Sequence, residues 1–294
     1  MIIPLNSAIN SSRLDSDALA FIKQAQITDS FAIRALNVLC KDLKREGIWD
    51  SLYYAFPMVF TGITASMLLD LKNRVSLIEI LPLTGSTAGV TYSSNGVQYN
   101  GGSYHALSDV TLNPTPLSNT PPGHISIYNR TNHVTAGLTV STGHGYYEGP
   151  NSNKFSIEFS TNGVSGSIWN ATFSTIGFTV SNSSGFYIYS NTNNNSGFTA
   201  SSNYPYEFYL SRNGEVIGTS FSYRNFQKWG SVVVIGSLSQ GYGNPISRSY
   251  DQICWYSCGV GLQGSSRGTH IDSSKAEVFY NIVQSFQKAL GREV

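Results

Sequence analysis

Between Val59 and Leu262 the apolar residues of this chain fall in short runs, several alternating with polar ones. Ser76-Leu-Ile-Glu-Ile-Leu, His124-Ile-Ser-Ile-Tyr, Lys154-Phe-Ser-Ile-Glu-Phe, Gly177-Phe-Thr-Val, Phe186-Tyr-Ile-Tyr, Glu207-Phe-Tyr-Leu and Ser231-Val-Val-Val-Ile carry the pattern. Period two marks a strand with one face buried, and each run is bounded by Asn, Gly or Ser. Asn95-Gly96, Asn162-Gly163 and Asn213-Gly214 predict tight hairpins, because both central residues of the favoured two-residue turn need positive φ. Many short strands with turns and no helices between them predict a mainly β protein, an antiparallel two-sheet jelly-roll sandwich.

The two ends of the chain follow a different period. Ser16-Asp-Ala-Leu-Ala-Phe-Ile-Lys-Gln-Ala reads as a short first helix, and Thr28-Asp29-Ser30 offers caps for a second. Leu36, Leu39, Cys40 and Leu43 are that helix's stripe and Gly47 its stop; Ile48 to Tyr54 adds a further turn or two before Pro57. At the other end Ser274 and Glu277 have the spacing of a capping box, and Gly291 marks the stop. Phe279, Ile282, Val283, Phe286 and Leu290 form the stripe between them, predicted to dock on a sheet or on the Leu36/Leu39/Leu43 stripe. The organisation read from the chain is an arm over residues 1–14, a helical region over 15–57, the sandwich over 58–271 and a terminal helix over 272–294.

Composition narrows the functions available. Of 294 residues only 12% are charged, against a usual share of roughly 25%, and the net charge is +1. That excludes the electrostatic footprint of nucleic-acid binding, and no run approaches the ~18 apolar residues of a membrane span. Residues 1–50 hold about a dozen charges while 85–200 hold about five, with Ser, Thr, Asn and Gly in their place. An uncharged polar surface of this kind suits secreted, wall-facing or virion β proteins. The opening Met-Ile-Ile-Pro-Leu-Asn-Ser lacks the features of a signal peptide, so lysis or particle assembly is the expected route out of a cell. The three cysteines, Cys40, Cys254 and Cys258, read as buried free thiols. Cys254 and Cys258, four apart on one strand, are expected to share a face ~13 Å apart, too far for a disulfide.

Four stretches also carry a resemblance. Ala35-Leu-Asn-Val-Leu-Cys-Lys-Asp-Leu-Lys-Arg-Glu-Gly-Ile-Trp49 with Ala55-Phe-Pro57, His124-Ile-Ser-Ile-Tyr-Asn-Arg-Thr131, Tyr209-Leu-Ser-Arg-Asn-Gly214 and Val283-Gln-Ser-Phe-Gln-Lys-Ala-Leu-Gly-Arg292 occur in this order. Together they resemble virion proteins of tailed bacteriophages that carry a concanavalin A-like (lectin/glucanase, laminin-G-like) domain. The resemblance implies a concanavalin A-like jelly roll with terminal helices packed on it. It also implies a place on a phage particle, as a fibre, tail or capsid-decoration component. Other virion proteins, a homo-oligomer (a trimer) and host-surface carbohydrate are then the expected partners. Phe60-Thr-Gly-Ile-Thr-Ala-Ser-Met-Leu-Leu-Asp-Leu keeps only a remnant of the group's first strand.

Chemistry is harder to find. Retaining glycosidases need two carboxylates ~5–5.5 Å apart, yet Glu79 and Glu158 each stand alone between apolar neighbours and read as solvent-facing strand residues. His105, His124, His133, His144 and His270 form no zinc motif, no Ser-His-Asp arrangement stands out, and Asp109 and Asp251 are too isolated for calcium. Neither a metal nor another cofactor is expected, nor is catalysis. The best candidates for a ligand are in Gly-rich segments read as exposed loops: His144, Tyr146, Tyr147 and Glu148 in one, Tyr242 in another, able to stack on and hydrogen-bond a glycan. The alternatives to a lectin-like virion protein are a carbohydrate-active depolymerase and a bacterial sugar-binding adhesin.

Overall fold

The computed structural model describes residues 14–80, 89–100, 104–107, 123–132, 142–148, 153–160, 163–170, 172–191, 206–222, 232–239, 245–248, 250–259, 261–262 and 274–294. The arm over 1–14 lies outside them except for Leu14. Helix α1, Ser16–Gln24, is capped by Asp15, whose carboxylate accepts from the backbone N–H of Asp17 and Ala18. Helix α2, Ser30–Arg45, is capped by Asp29 through Ala32 N–H, and Gly47 follows it at φ +66°. All four residues of its predicted stripe are buried. Lys44 of α2 closes on Asp15 and Asp17 at 2.7 Å each, which clamps the start of α1 to the end of α2.

The helical region is shorter than its periodicity implies. It ends in one 3-10 turn, Trp49–Ser51, and Leu52–Phe56 is already strand β1. The aromatic side chains of Tyr53, Tyr54 and Phe56 suit a strand, and the run Gln252–Gly259 supplies its antiparallel partner. Past Pro57 the remnant first strand is instead a single helical turn, α3 (Thr64–Met67).

Seventeen strands are described, and every pair is antiparallel. After β1 come β2 (Ile78–Ile80), β3 (Thr91–Ser93), β4 (Gly96–Gln98), β5 (Tyr104–Leu107) and β6 (His124–Asn129). Then follow β7 (Thr142–Glu148), β8 (Asn153–Ser160), β9 (Gly163–Asn170), β10 (Thr172–Phe178) and β11 (Gly185–Asn191). The last are β12 (Tyr206–Arg212), β13 (Glu215–Ser222), β14 (Val232–Ile235), β15 (Ser237–Ser239), β16 (Pro245–Arg248) and β17 (Gln252–Gly259). The first sheet runs β13-β12-β11-β6-β17-β4-β3, with β1 also on β17; the second runs β10-β9-β8-β7-β14-β5-β2; β15 and β16 form a ribbon. The three predicted strand pairs are present, β3 with β4, β8 with β9 and β12 with β13, but Gly96 and Gly163 open their second strands opposite Ser93 and Ser160, so the first loop is 94–95 and the second, 161–162, lies outside the described residues. At the last of them Asn213 and Gly214 take φ +50° and +88° between the paired Arg212 and Glu215. The run Gly177–Val180 is offset from its strand: β10 starts five residues earlier and stops at Phe178.

The two sheets pack face to face as a β-sandwich. Ile157, Phe159, Val164 and Ile235 of the second sheet meet Ile125, Ile127, Tyr187, Tyr189 and Tyr256 of the first in one apolar cluster. The approach is close enough at Gly166 that a Cβ there would sit 2.5 Å from the Tyr189 ring. A third layer covers the other face of the first sheet. Helix α4, Ser274–Ala289, turns Phe279, Ile282, Val283 and Phe286 onto Trp255, Tyr128 and Phe186 and onto the α2 stripe. Both docking partners foreseen for this helix are therefore engaged at once. The description of this helix begins at Ser274, and the residues before it, which bear on the capping box of Ser274 and Glu277, lie outside the described residues.

Coverage on both faces explains why β6 is buried at every position. Ile125 and Ile127 point into the sandwich, whereas Ser126 and Tyr128 belong to the helical side. There Ser126 bonds Ser257 at 2.6 Å and accepts from the Trp255 indole N–H at 3.0 Å. A bulge in β17 between Ile253 and Trp255 shifts the phase of the pleat. Cys254 consequently packs with the helices and Cys258 in the sandwich, so the two do not share a face. All three thiols are buried and free. The chain end is locked by Arg292, 1% exposed, which donates to the carbonyls of Met58 (2.7 Å), Pro57 (3.0 Å) and Cys254 (3.5 Å).

Candidate functional site

The residues singled out for a glycan are not in a loop. Thr142–Glu148 is strand β7, hydrogen-bonded on one side to β8 and on the other to β14, in the middle of the second sheet. The alternation of glycine and polar residues that reads as a loop is accommodated because both neighbours pair with it. Register then divides the set. Positions 144 and 146 pair with Ile157 and Phe155, and Ile157 belongs to the sandwich core, so they lie at core-facing positions of the sheet. Position 147, paired with Lys154, lies on the opposite face, and position 148 closes the strand beside Asn153. Tyr242 lies outside the described residues, as do His133, His270 and Asp109.

A polar cleft of about 470 Å³ opens elsewhere, where the β12–β13 hairpin meets α4. Its walls are Asn213, Gly214, Glu215 and Val216 from the hairpin and Glu277, Tyr280 and Asn281 from the helix. The turn is held rigidly. Asn213 donates its N–H to the Phe186 carbonyl at 2.8 Å, and its side-chain oxygen accepts from Phe186 N–H at 2.9 Å. Gly214 lies against the helix, where a Cβ would stand 3.2 Å from the Tyr280 ring and 3.3 Å from the Glu277 Cα. Tyr280 stacks on Phe186, ring centroids 6.3 Å apart and planes 28° apart, and its ring lines the cleft. An aromatic wall, amides and carboxylates together can pack against an apolar sugar face and bond its hydroxyls. The volume falls within the ~300–1,000 Å³ of small-molecule sites.

In the sequence Asn213-Gly214 marks a turn, Glu277 half of a cap, and the terminal helix an apolar stripe. Tyr280 and Asn281 flank that stripe, but their meeting with a hairpin some 65 positions earlier in the chain is tertiary.

The buried titratable groups serve the framework. His105 of β5 is fully buried and bonded at both ring nitrogens, Nδ1 to the Tyr99 hydroxyl at 2.8 Å and Nε2 to that of Tyr92 at 2.9 Å. It ties the second sheet to the first. Burial pulls its pKa down to about 4, so it is neutral at pH 7. Asp70, also fully buried, accepts from Ala55 N–H at 2.7 Å and from Asn73 N–H. Burial raises its pKa to about 6 in spite of those bonds and of another from Lys72 N–H. Glu158, between the core residues Ile157 and Phe159, lies on the face of β8 turned away from the sandwich core, partly exposed, and accepts from Ser156. The side chain of Glu79 is outside what is described. Among the described residues no group of three His, Cys, Asp or Glu could hold a metal ion. Among the same residues no helix is long and apolar enough to cross a membrane. A Gly-x-Ser-x-Gly pattern at residues 264–268 lies outside the described residues.

No family model matches this chain, and no curated protein does. Solved structures do match in fold. A receptor binding domain aligns over 81% of this chain and 52% of its own, with TM-score 0.51 and 12% identity. The binding domain of botulinum neurotoxin DC in complex with rat synaptotagmin II aligns over the same shares, with TM-score 0.50 and 12% identity. A structure of botulinum neurotoxin type C, concerned with its interaction with two ganglioside molecules, aligns over 81% and 53%, with TM-score 0.50 and 12% identity. The chain spans about half the length of these structures. At such identity the likeness is one of fold, the antiparallel β-sandwich with a few helices.

Proposed function

We propose that this chain is a lectin-like, non-catalytic binding protein that takes a glycan in the cleft between the β12–β13 hairpin and α4. The observation that carries the reading is the cleft itself: Tyr280 backed by Phe186, with Asn213, Asn281, Glu215 and Glu277 around it. Support comes from the fold it shares with binding domains, one of them described with gangliosides. The sandwich is proposed to be a jelly roll of the concanavalin A type. The ordered resemblance to phage virion proteins and the charge-poor surface favour a place on a virus particle. There the cleft would contact host-surface carbohydrate, and the protein would assemble with itself and with other virion components.

A glycan array probed with the purified chain tests the reading. Selective binding that Tyr280→Ala weakens tenfold or more, about 1.4 kcal/mol, is the expected result. Tyr147→Ala, on the far sheet, is expected to leave binding unchanged. Loss on Tyr147→Ala alone would return the site to β7.

A second reading, hydrolysis of an envelope polysaccharide, is favoured by one observation: Glu215 and Glu277 line the same cleft. Release of reducing ends from a bound glycan, abolished by Glu277→Gln, would establish it over the first.

A further inference from the structure

The outward face of α2 carries Phe31, Arg34, Val38, Asp42 and Arg45 at spacings of three and four, which place them along one line of the helix. Phe31 is 67% and Val38 51% exposed, the two highest values among the large apolar side chains described. Beside this line, between α2 and α4, runs an apolar groove of about 300 Å³ floored by Ala35, Leu39, Ile282 and Phe286. Its α4 rim is Ser285 and Ala289, small residues that let another helix come close.

The charges on this face are arranged about Val38. Arg34 lies four residues before it and Asp42 four after; Phe31 lies seven before and Arg45 seven after. Within one chain Arg34 donates to the Ser30 carbonyl at 3.2 Å and lies 4.9 Å over the Phe31 ring, and no carboxylate among the described residues pairs with it. Asp42 is held by Arg45 at 2.7 Å.

We propose that the occupant of this face is a second copy of the chain, with α2 packed antiparallel on α2 about a two-fold axis through Val38. That single register sets Val38 on Val38, Arg34 opposite Asp42 and Phe31 opposite the Arg45 cation, each of the last two contacts made twice. Antiparallel helices also align their dipoles favourably. Arg34 and Asp42 meet as opposite charges in both halves, so the face is complementary to itself, whereas a parallel three-fold contact would set Arg34 level with Arg34 and Asp42 level with Asp42. The two helices present a face about 24 Å long, the length of α2, and about 20 Å wide. That is on the order of 500 Å² per partner, below the ~800 Å² of a standard interface, so the dimer is a reversible one of micromolar strength. The inference does not depend on glycan binding.

Sedimentation of the full chain across about 1–200 μM is expected to pass from monomer to dimer. Val38→Asp should abolish the shift. Arg34→Asp and Asp42→Arg should each raise the dissociation constant about tenfold, and the double exchange should recover most of it. All these positions are at the surface, and circular dichroism verifies that each variant is folded. With the three native thiols buried, oxidised Val38→Cys chains should cross-link as disulfide dimers. A monomer at every concentration overturns the proposal, as does association indifferent to Val38→Asp, a trimer, or a double exchange no better than the single ones.

Discussion

His105 and Asp70 make opposite demands on pH, and separating them tests the account of the core. His105 has a folded pKa of about 4 against 6.5 in the unfolded chain. The folded state therefore binds fewer protons, so its stabilisation is complete above pH 6.5 and is lost as pH falls towards 4. At 1.36 kcal/mol per unit, the loss between pH 7 and pH 4 is about 3 kcal/mol. Asp70 has a folded pKa of about 6 against 3.8. Its folded state binds more protons, so stability rises as pH falls from 6 towards 3.8, by about 2 kcal/mol at pH 4, and that gain is lost as pH rises through 6. In the wild-type chain the two nearly cancel. Urea titrations at half-unit steps from pH 7 to pH 4 on wild type, His105→Gln and Asp70→Asn would separate them. The stability of wild type relative to His105→Gln should fall by about 3 kcal/mol over that range, and relative to Asp70→Asn should rise by about 2. Gln keeps a donor and an acceptor for the two tyrosines but does not titrate. A difference from His105→Gln that stays constant within about 0.5 kcal/mol would refute the reasoning, since the imidazole would then be as free to protonate folded as unfolded.

Removing the Arg292 side chain strips donors from the buried carbonyls of Pro57 and Met58, while Cys254 retains Gln287 at 3.3 Å. Arg292→Ala should cost about 3–5 kcal/mol in chemical denaturation, with α4 and its Trp255 contacts released first. Gly166→Ala drives a methyl into the Tyr189 ring and should cost about 1–3 kcal/mol by the same assay, relieved in part by Tyr189→Leu.

Period and turn chemistry made much of the fold legible. The Leu36/Leu39/Cys40/Leu43 stripe, the apolar stripe of the terminal helix and the Asn213-Gly214 turn each express a local rule and each stands where that rule puts it, while the loops near Gly96 and Gly163 fall one residue earlier. What local rules missed depends on neighbours. Gly143 and Gly145 look like loop residues until β8 pairs with both and β14 with Gly145. A bulge of one residue sends Cys254 and Cys258 to different layers, and nothing in the spacing announces it. Arg292 stood out only as part of a resemblance; that it is buried against three carbonyls depends on Pro57 and Cys254, both distant in the chain. The cleft is the extreme case, since Asn213, Glu277, Tyr280 and Asn281 each have an adequate local explanation and acquire a shared one only through docking.

The central claim is that this cleft holds a sugar. Saturation-transfer NMR on the chain with an array-selected oligosaccharide, competed by Tyr280→Ala and Asn281→Ala, addresses it most directly. Transfer to the sugar ring protons is expected, with the affinity falling tenfold or more on either substitution in a folded protein. Undiminished transfer in both variants would contradict it.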